Sequence, residues 1–295
     1  MSRIAFIGLG NMGSGMAANQ AKAGHDVRAF DLSAEAVANA VKAGMTAATS
    51  AAESVNDADV VITMLPAGQH VMDIYTQAIL PNARKDALLI DCSTIDVDSA
   101  RTVARDAASL GFTCADAPVS GGTAAATGGT LTFMVGCRDE AFARIEEALK
   151  PMAKAVIHAG AHGAGQAAKI CNNMLLGISM IGTCEAFALA EKLDLDPLRF
   201  FEIASKASGQ CWSLTSYCPW PGPVPAAPSN RNYEGGFATA MMLKDLKLAQ
   251  DAAIAVGADT PLGGAAEALY AEFAERGYAK RDFSGILDLL RGRLS

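Results

Sequence analysis

The sequence predicts an α/β fold of 295 residues, with a doubly wound, mostly parallel sheet in its first half and helices alone in its second. Three observations predict it. Short apolar strand segments alternate with helix segments up to about residue 160. The first strand runs into Gly8-x-Gly10-x-x-Gly13 at the head of a helix, and the next strand closes on Asp31. After about Gly163 the strand pattern stops and helical periodicity takes over.

In chain order, residues 4–7 are dense in Ile and Phe and read as a buried parallel strand. A helix containing Met16, Ala17, Ala18, Gln20 and Ala21 follows, then a strand over 26–30. Further strands are predicted over 60–64, 88–91, 113–117, 131–135 and 155–158, with helices over 34–43, 69–75, 97–110 and 141–151 between them. Residues 165–193 read as one long helix, apolar almost all round, to be buried by other helices or by a second subunit. Helices over 197–207, 239–255, 262–276 and 284–291 complete the chain. The stretch from Cys211 to Tyr233, rich in Pro, Gly and Asn, is too long for an idle connection and is read as cover for a site. These elements predict a nucleotide-binding domain over 1–163 and an all-helical domain over 164–295, joined by the helix at 165–193.

The glycine turn names a ligand class. Gly8 permits the tight turn, Gly10 admits a pyrophosphate to the backbone, and Gly13 lets helix and strand pack closely. The unpaired N–H groups and the dipole of the helix favour phosphate charge. Leu9, Asn11 and Met12 complete the turn. Asp31 accepts hydrogen bonds from a ribose diol and repels a 2′-phosphate, which favours NAD over NADP; Arg28 and Ser33 leave a phosphate some support.

Composition narrows the rest. Hydrophobic residues make up 51%, charged residues 19%, and the formal net charge is −7 without any Lys/Arg block, so neither nucleic acid nor an anionic membrane is an expected partner. The apolar stretch 170–190 is interrupted by Asn172, Asn173 and Glu185 and adjoined by Lys169, which fits a buried helix better than a membrane span. The N-terminus has no signal-peptide layout. Cys92, Cys114, Cys137, Cys171, Cys184, Cys211 and Cys218 are irregularly spaced and form no C-x-x-C pair, so they are expected to be buried reduced thiols of a cytoplasmic protein, with no metal site. His25, His70, His158 and His162 are scattered and read as structural or exposed.

Three polar clusters are candidates for chemistry. In Asp116-Ala117-Pro118-Val119-Ser120-Gly121-Gly122, Ser120 and the N–H groups of Gly121 and Gly122 form either a concavity for a carboxylate or a tight turn. Lys169 and Asn173 share a helix face at i and i+4. They suit either proton transfer by a desolvated amine or a snorkelling lysine beside helix-packing amides. Lys244-Asp245, after Gly236-Phe237, reads first as a surface charge pair.

Taken together, Gly8-Leu9-Gly10-Asn11-Met12-Gly13, Met64-Leu65-Pro66, Asp91-Cys92-Ser93-Thr94, Asp116 to Gly122, Gly165-Gln166-Ala167-Ala168-Lys169-Ile170-Cys171-Asn172-Asn173 and Lys244-Asp245-Leu246 resemble the β-hydroxyacid dehydrogenase family over nearly the whole chain. The resemblance implies a Rossmann domain, a long helix and an all-helical domain, assembled as a homodimer or homotetramer. It implies Lys169 as the catalytic lysine and Asn173 as the amide beside the reacting oxygen. Ser120, Gly121 and Gly122 would hold the substrate carboxylate; Leu65, Pro66, Thr94 and Lys244 would contact NAD; Trp212 and Phe237 would wall the substrate pocket. The expected reaction is hydride transfer from a short β-hydroxyacid to NAD, with 3-hydroxyisobutyrate of valine breakdown first. L-Serine, tartronate semialdehyde, glyoxylate or succinic semialdehyde are the alternative substrates. Imine reduction is disfavoured by Lys169, and a non-catalytic NAD sensor by the Lys169/Asn173 face.

Overall fold

The computed structural model describes residues 1–293. It divides into two compact units, Met1–Lys169 and Ile170–Ser295, so the division falls inside the long helix; the last two residues of the predicted 164–295 domain lie outside the described residues.

The first unit is a nine-stranded sheet clad in helices. Its strands are β1 (Arg3–Ile7), β2 (Asp26–Phe30), β3 (Thr46–Ala47), β4 (Val60–Thr63), β5 (Leu88–Asp91), β6 (Thr113–Asp116), β7 (Val119–Ser120), β8 (Leu131–Gly136) and β9 (Ala153–Gly160). Its helices are α1 (Gly13–Lys22), α2 (Ala34–Lys42), α3 (Ala51–Val55), α4 (Gly68–Ile74), α5 (Leu80–Asn82), α6 (Val97–Ser109), α7 (Gly122–Gly128) and α8 (Asp139–Leu149). The spatial order is β3-β2-β1-β4-β5-β6-β8-β7, with β9 on β8. Strands β1 to β6 pair in parallel; β8 runs antiparallel to β6 and β7 and parallel to β9.

Alternate side chains point to opposite faces of each strand. Ile4, Phe6, Val60, Ile62, Leu88 and Ile90 join one buried cluster, while Ala5, Ile7, Val61, Leu89 and Cys114 join another. Both faces are covered, which is why these strands read as unbroken apolar runs. The short elements β3, β7, α3, α5 and α7 were not anticipated, because a few residues carry no measurable periodicity.

The helix α9 (Ala164–Lys192) starts in the first unit and continues into the second, where it is joined by α10 (Pro197–Ala204), α11 (Trp212–Thr215), α12 (Thr239–Val256), α13 (Pro261–Phe273) and α14 (Ile286–Leu290). Asp196 caps α10 by accepting the N–H groups of Leu198 and Arg199. The helix predicted over 262–276 ends at Phe273 and loosens into a π turn, where Gly277 is left-handed at φ +95°. The second core gathers Met180, Cys184, Phe187, Met242, Leu246, Tyr270, Phe273 and Phe283.

Among the described residues α9 is the one helix long and apolar enough to cross a membrane. Within the single chain its burial is partial, with Leu175 and Leu189 64% and 60% exposed. One expectation needs correction. The thiols are all free, but Cys171 is exposed and Cys211 half-buried.

The 211–233 insert is held largely by bonds to itself. Ser229 Oγ donates to Cys218 O at 2.8 Å, Tyr233 Oη to Pro219 O at 2.9 Å, and Asn230 Nδ2 to Val224 O at 2.7 Å.

Candidate active site

Parallel strands deliver their following loops to one edge, and in open α/β sheets ligands bind there. Along β2-β1-β4-β5-β6 that edge carries, in spatial order, Asp31, the glycine turn, Leu65-Pro66, Thr94 and the Pro118–Gly122 segment. Four strand spacings cover roughly 19 Å, the scale of an extended dinucleotide with a small substrate at its end.

The three glycines are required for different reasons. A Cβ on Gly8, whose φ is +97°, would lie 2.2 Å from Met64 O, and one on Gly13 would lie 2.0 Å from Gly8 O. The chain itself therefore forbids side chains at both positions. A Cβ on Gly10 would meet nothing within 4 Å, so packing within the chain does not demand a glycine there and leaves its backbone open to an incoming group. Asp31 Oδ2 accepts the Leu9 N–H at 2.6 Å and Oδ1 the Ser33 N–H at 2.7 Å, tying the acid to the glycine turn. An open backbone turn, a helix start and a fixed acid fit a dinucleotide.

Beneath Leu65 and Thr94 lies a buried polar network. Ser93 Oγ accepts the Leu65 N–H at 2.8 Å and donates to Asp91 Oδ1 at 2.6 Å. Thr63 Oγ1 donates to the same oxygen at 2.7 Å. Burial pushes the Asp91 carboxyl up to about 6 against those hydrogen bonds.

The Ser120-Gly121-Gly122 segment is more ordered than a loop. Ser120 belongs to β7 and pairs with Thr132 of β8; Gly121 and Gly122 then take φ +138° and +71° and open α7. Two successive residues with positive φ are accessible at low cost only to glycine.

The first turn of α9 is fastened to the same edge. Asp116 Oδ1 accepts the Gly163 N–H at 2.7 Å and Oδ2 the Gln166 N–H at 3.0 Å, so a strand-end acid satisfies the head of the helix. Burial raises the Asp116 carboxyl and these two bonds lower it; burial depresses the neighbouring His162 imidazole, opposed by the Asp116 charge. Gln166 donates to Ser93 O at 2.7 Å and accepts the Ile95 N–H at 3.1 Å. Lys169, one turn further on, is 7% exposed. So buried an ammonium-bearing side chain is uncommon and excludes a snorkelling lysine.

In the second unit Asn173 is 2% exposed and donates to Asp245 Oδ2 at 2.5 Å. Lys244 Nζ lies 3.2 Å from Asp245 Oδ1. The expected surface charge pair is therefore wrong: Asp245 is 2% exposed and joins Lys244 to Asn173. Trp212 stacks on Tyr217 with ring centroids 5.0 Å apart. Tyr217 Oη and the Phe237 N–H both donate to Asp282 Oδ2, at 2.8 and 2.7 Å. Burial, with the Asp282 charge beside it, holds the Tyr217 hydroxyl well above the ordinary phenol range.

Sequence reasoning assigned no role to Asp91, Ser93, Asp116, Gln166, Tyr217, Asp245 or Asp282. The signal for Asp91 and Asp116 was available, since an acid ending an apolar buried strand must find donors. Among the described residues no group of three or more His, Cys, Asp or Glu side chains is placed to hold a metal ion.

Comparison with known proteins agrees with this geometry. Residues 3–160 match the family model for the NAD-binding domain of 6-phosphogluconate dehydrogenase. Residues 163–290 match the model described as the NAD-binding part of NADP-dependent 3-hydroxyisobutyrate dehydrogenase. A 3-hydroxyisobutyrate dehydrogenase of Pseudomonas aeruginosa is 50% identical over 297 residues, covering 99% of this chain and 100% of the relative. An NAD-dependent L-serine dehydrogenase of the same organism is 48% identical and covers 98% of each chain. The solved structure of a Mycobacterium tuberculosis 3-hydroxyisobutyrate dehydrogenase with L-serine superimposes with a TM-score of 0.95 at 49% identity, covering 99% of both chains.

Proposed function

The chain belongs to the β-hydroxyacid dehydrogenase family, and from that premise we propose how its residues divide the oxidation of 3-hydroxyisobutyrate to methylmalonate semialdehyde. It is an NAD-dependent oxidoreductase acting on a CH–OH group. The observation that carries the residue assignment is the buried amine of Lys169, three residues beyond a helix turn bonded to the strand ends.

Bound NAD supplies the acceptor for the hydride. Gly8, Leu9, Gly10, Asn11, Met12 and Gly13 hold the pyrophosphate, and Asp31 the ribose diol. Leu65, Pro66, Thr94 and Lys244 contact the cofactor further along. Ser120, Gly121 and Gly122 fix the substrate carboxylate, which sets the orientation of the reacting carbon. Lys169, as the neutral amine, takes the hydroxyl proton as the hydride departs; in the reverse direction its ammonium returns that proton to the oxygen. Asn173 holds the same oxygen near the lysine. General acid–base assistance of this kind contributes about 10²–10⁴-fold in rate. Trp212 and Phe237 wall the substrate pocket. On this reading residues 1–163 form the nucleotide-binding domain and 164–295 the all-helical domain.

L-Serine is a second substrate to weigh, because a relative 48% identical to this chain is named for it. The Trp212/Phe237 wall favours a methyl-bearing substrate, but one methyl group in an apolar pocket is worth only about 1–3 kcal/mol. The test is a panel of 3-hydroxyisobutyrate, both serine enantiomers and other short hydroxyacids with NAD and with NADP, followed by absorbance of the reduced nicotinamide. The reading expects the highest kcat/KM with 3-hydroxyisobutyrate and NAD. A flat response to all three-carbon-chain hydroxyacids refutes it.

The working form on this reading is a cytoplasmic homodimer or homotetramer, without nucleic-acid or membrane partners. Seven unpaired thiols suit a reducing compartment. Cys171, Leu175, Gly182 and Leu189 form an exposed stripe on α9 at spacings of four and seven residues, a helix face suited to a second copy of the chain. Light scattering behind a sizing column tests this, and a monomer at micromolar concentration contradicts it.

A further inference from the structure

We propose that Gln166 is a positioning residue of the reaction: its side chain pins the helix turn that carries Lys169 to the peptide groups on either side of Thr94. The inference rests on the functional reading above and extends it to a residue that touches neither substrate nor cofactor.

Gln166 is fully buried, at 0% exposure. Its Nε2 donates to Ser93 O at 2.7 Å and its Oε1 accepts the Ile95 N–H at 3.1 Å. These are the backbone groups immediately before and after Thr94. Its own N–H is taken by Asp116 Oδ2 at 3.0 Å. One residue thus joins the carboxyl ends of β5 and β6 to the first turn of α9. The join extends to β4, because Ser93 Oγ also receives the Leu65 N–H.

The chemistry of the side chain is specific to this place. The loop presents one acceptor and one donor, and a primary amide supplies one of each. A carboxylate supplies acceptors alone, and an aliphatic chain leaves two buried backbone groups without partners. Lys169 lies three residues further along the helix, about 4.5 Å of rise away. The placement of its amine relative to the Thr94 loop is therefore set through very few bonds. A displacement of about 1 Å at a reacting group is enough to lower a rate on the order of 10²-fold.

The experiment compares wild type with Gln166→Met and Gln166→Glu, with NAD and 3-hydroxyisobutyrate, and expresses kcat per NAD-binding site so that unfolded molecules are not counted. The expected result is a kcat lower by about 10- to 100-fold in Gln166→Met, with NAD affinity weakened by clearly less than that, because only the Thr94 contact is disturbed while the glycine turn and Asp31 are untouched. Gln166→Glu supplies the rescue arm. A neutral carboxylic acid donates and accepts as the amide does, and burial beside Asp116 raises the pKa of such a group. Asp91, pushed up to about 6, titrates in the same range. Each variant is therefore read as its ratio to wild type at the same pH. The Gln166→Glu ratio should rise as pH falls from 8 to 6, while the Gln166→Met ratio stays flat. A purely structural role lowers the melting temperature and leaves kcat per site unchanged, which overturns the proposal; so does a Glu ratio that ignores pH. A wild type that turns over no hydroxyacid defeats the functional reading instead, so the two failures are separable.

Discussion

Replacing Asp91 with Asn should stabilise the protein at neutral pH and remove part of its pH dependence. All three hydrogen bonds to this carboxylate converge on Oδ1, from Thr63 Oγ1 at 2.7 Å, Ser93 Oγ at 2.6 Å and Ser93 N at 3.3 Å. Oδ2 is buried and has no partner among the described residues. An Asn keeps the accepting oxygen and removes the charge. Burial raises the folded-state pKa from an ordinary carboxylate value to about 6, so the folded protein holds this proton more tightly than the unfolded chain. Stability from this group is thus greatest below about pH 4 and is lost as pH rises through 6. A difference of about two pH units corresponds to about 3 kcal/mol at pH 7.5. Relative to wild type, Asp91→Asn should be more stable by about 1–3 kcal/mol at pH 7.5, with the gap closing toward pH 4. Urea unfolding of both proteins at half-unit steps from pH 4 to 8 measures the gap. A constant difference across that range, or an Asn variant less stable at every pH, refutes the account of Asp91 as a buried, costly charge.

Two further predictions follow from the glycine turn and its acid. Gly10→Ala should fold with wild-type stability and bind NAD at least 10-fold more weakly, whereas Gly13→Ala should lose stability outright because its Cβ collides with Gly8 O at 2.0 Å; calorimetry paired with NAD titration separates them, and equal behaviour of the two variants contradicts the assignment. Asp31→Ser should lower the kcat/KM ratio of NAD over NADP by at least 10-fold, the order of one charge-assisted hydrogen bond at about 1.5–3 kcal/mol; an unchanged ratio removes Asp31 from cofactor choice.

Much of this architecture was legible because it is dictated locally. Gly8, Gly10 and Gly13 announce a backbone geometry, and β1 to β6 announce two covered faces by their unbroken apolar runs. Lys169 was conspicuous as a lysine in an apolar helix. What stayed hidden depends on partners far apart in sequence. Gln166 meets a loop 71 to 73 residues earlier, and Asn173 meets Asp245 72 residues later. Adjacent Lys244 and Asp245 look like a solvated pair until the fold buries the acid beneath Asn173. The two-residue strand β7 escaped because Ser120 is defined by pairing with Thr132, not by its neighbours.

The chemistry assigned here to one buried amine is tested most directly by Lys169→Ala, measured for kcat with 3-hydroxyisobutyrate and, on the same preparation, for NAD affinity by fluorescence. The account predicts a fall of at least about 10²-fold in kcat with an NAD Kd within about threefold of wild type. Near wild-type turnover in a variant that still binds NAD would contradict it.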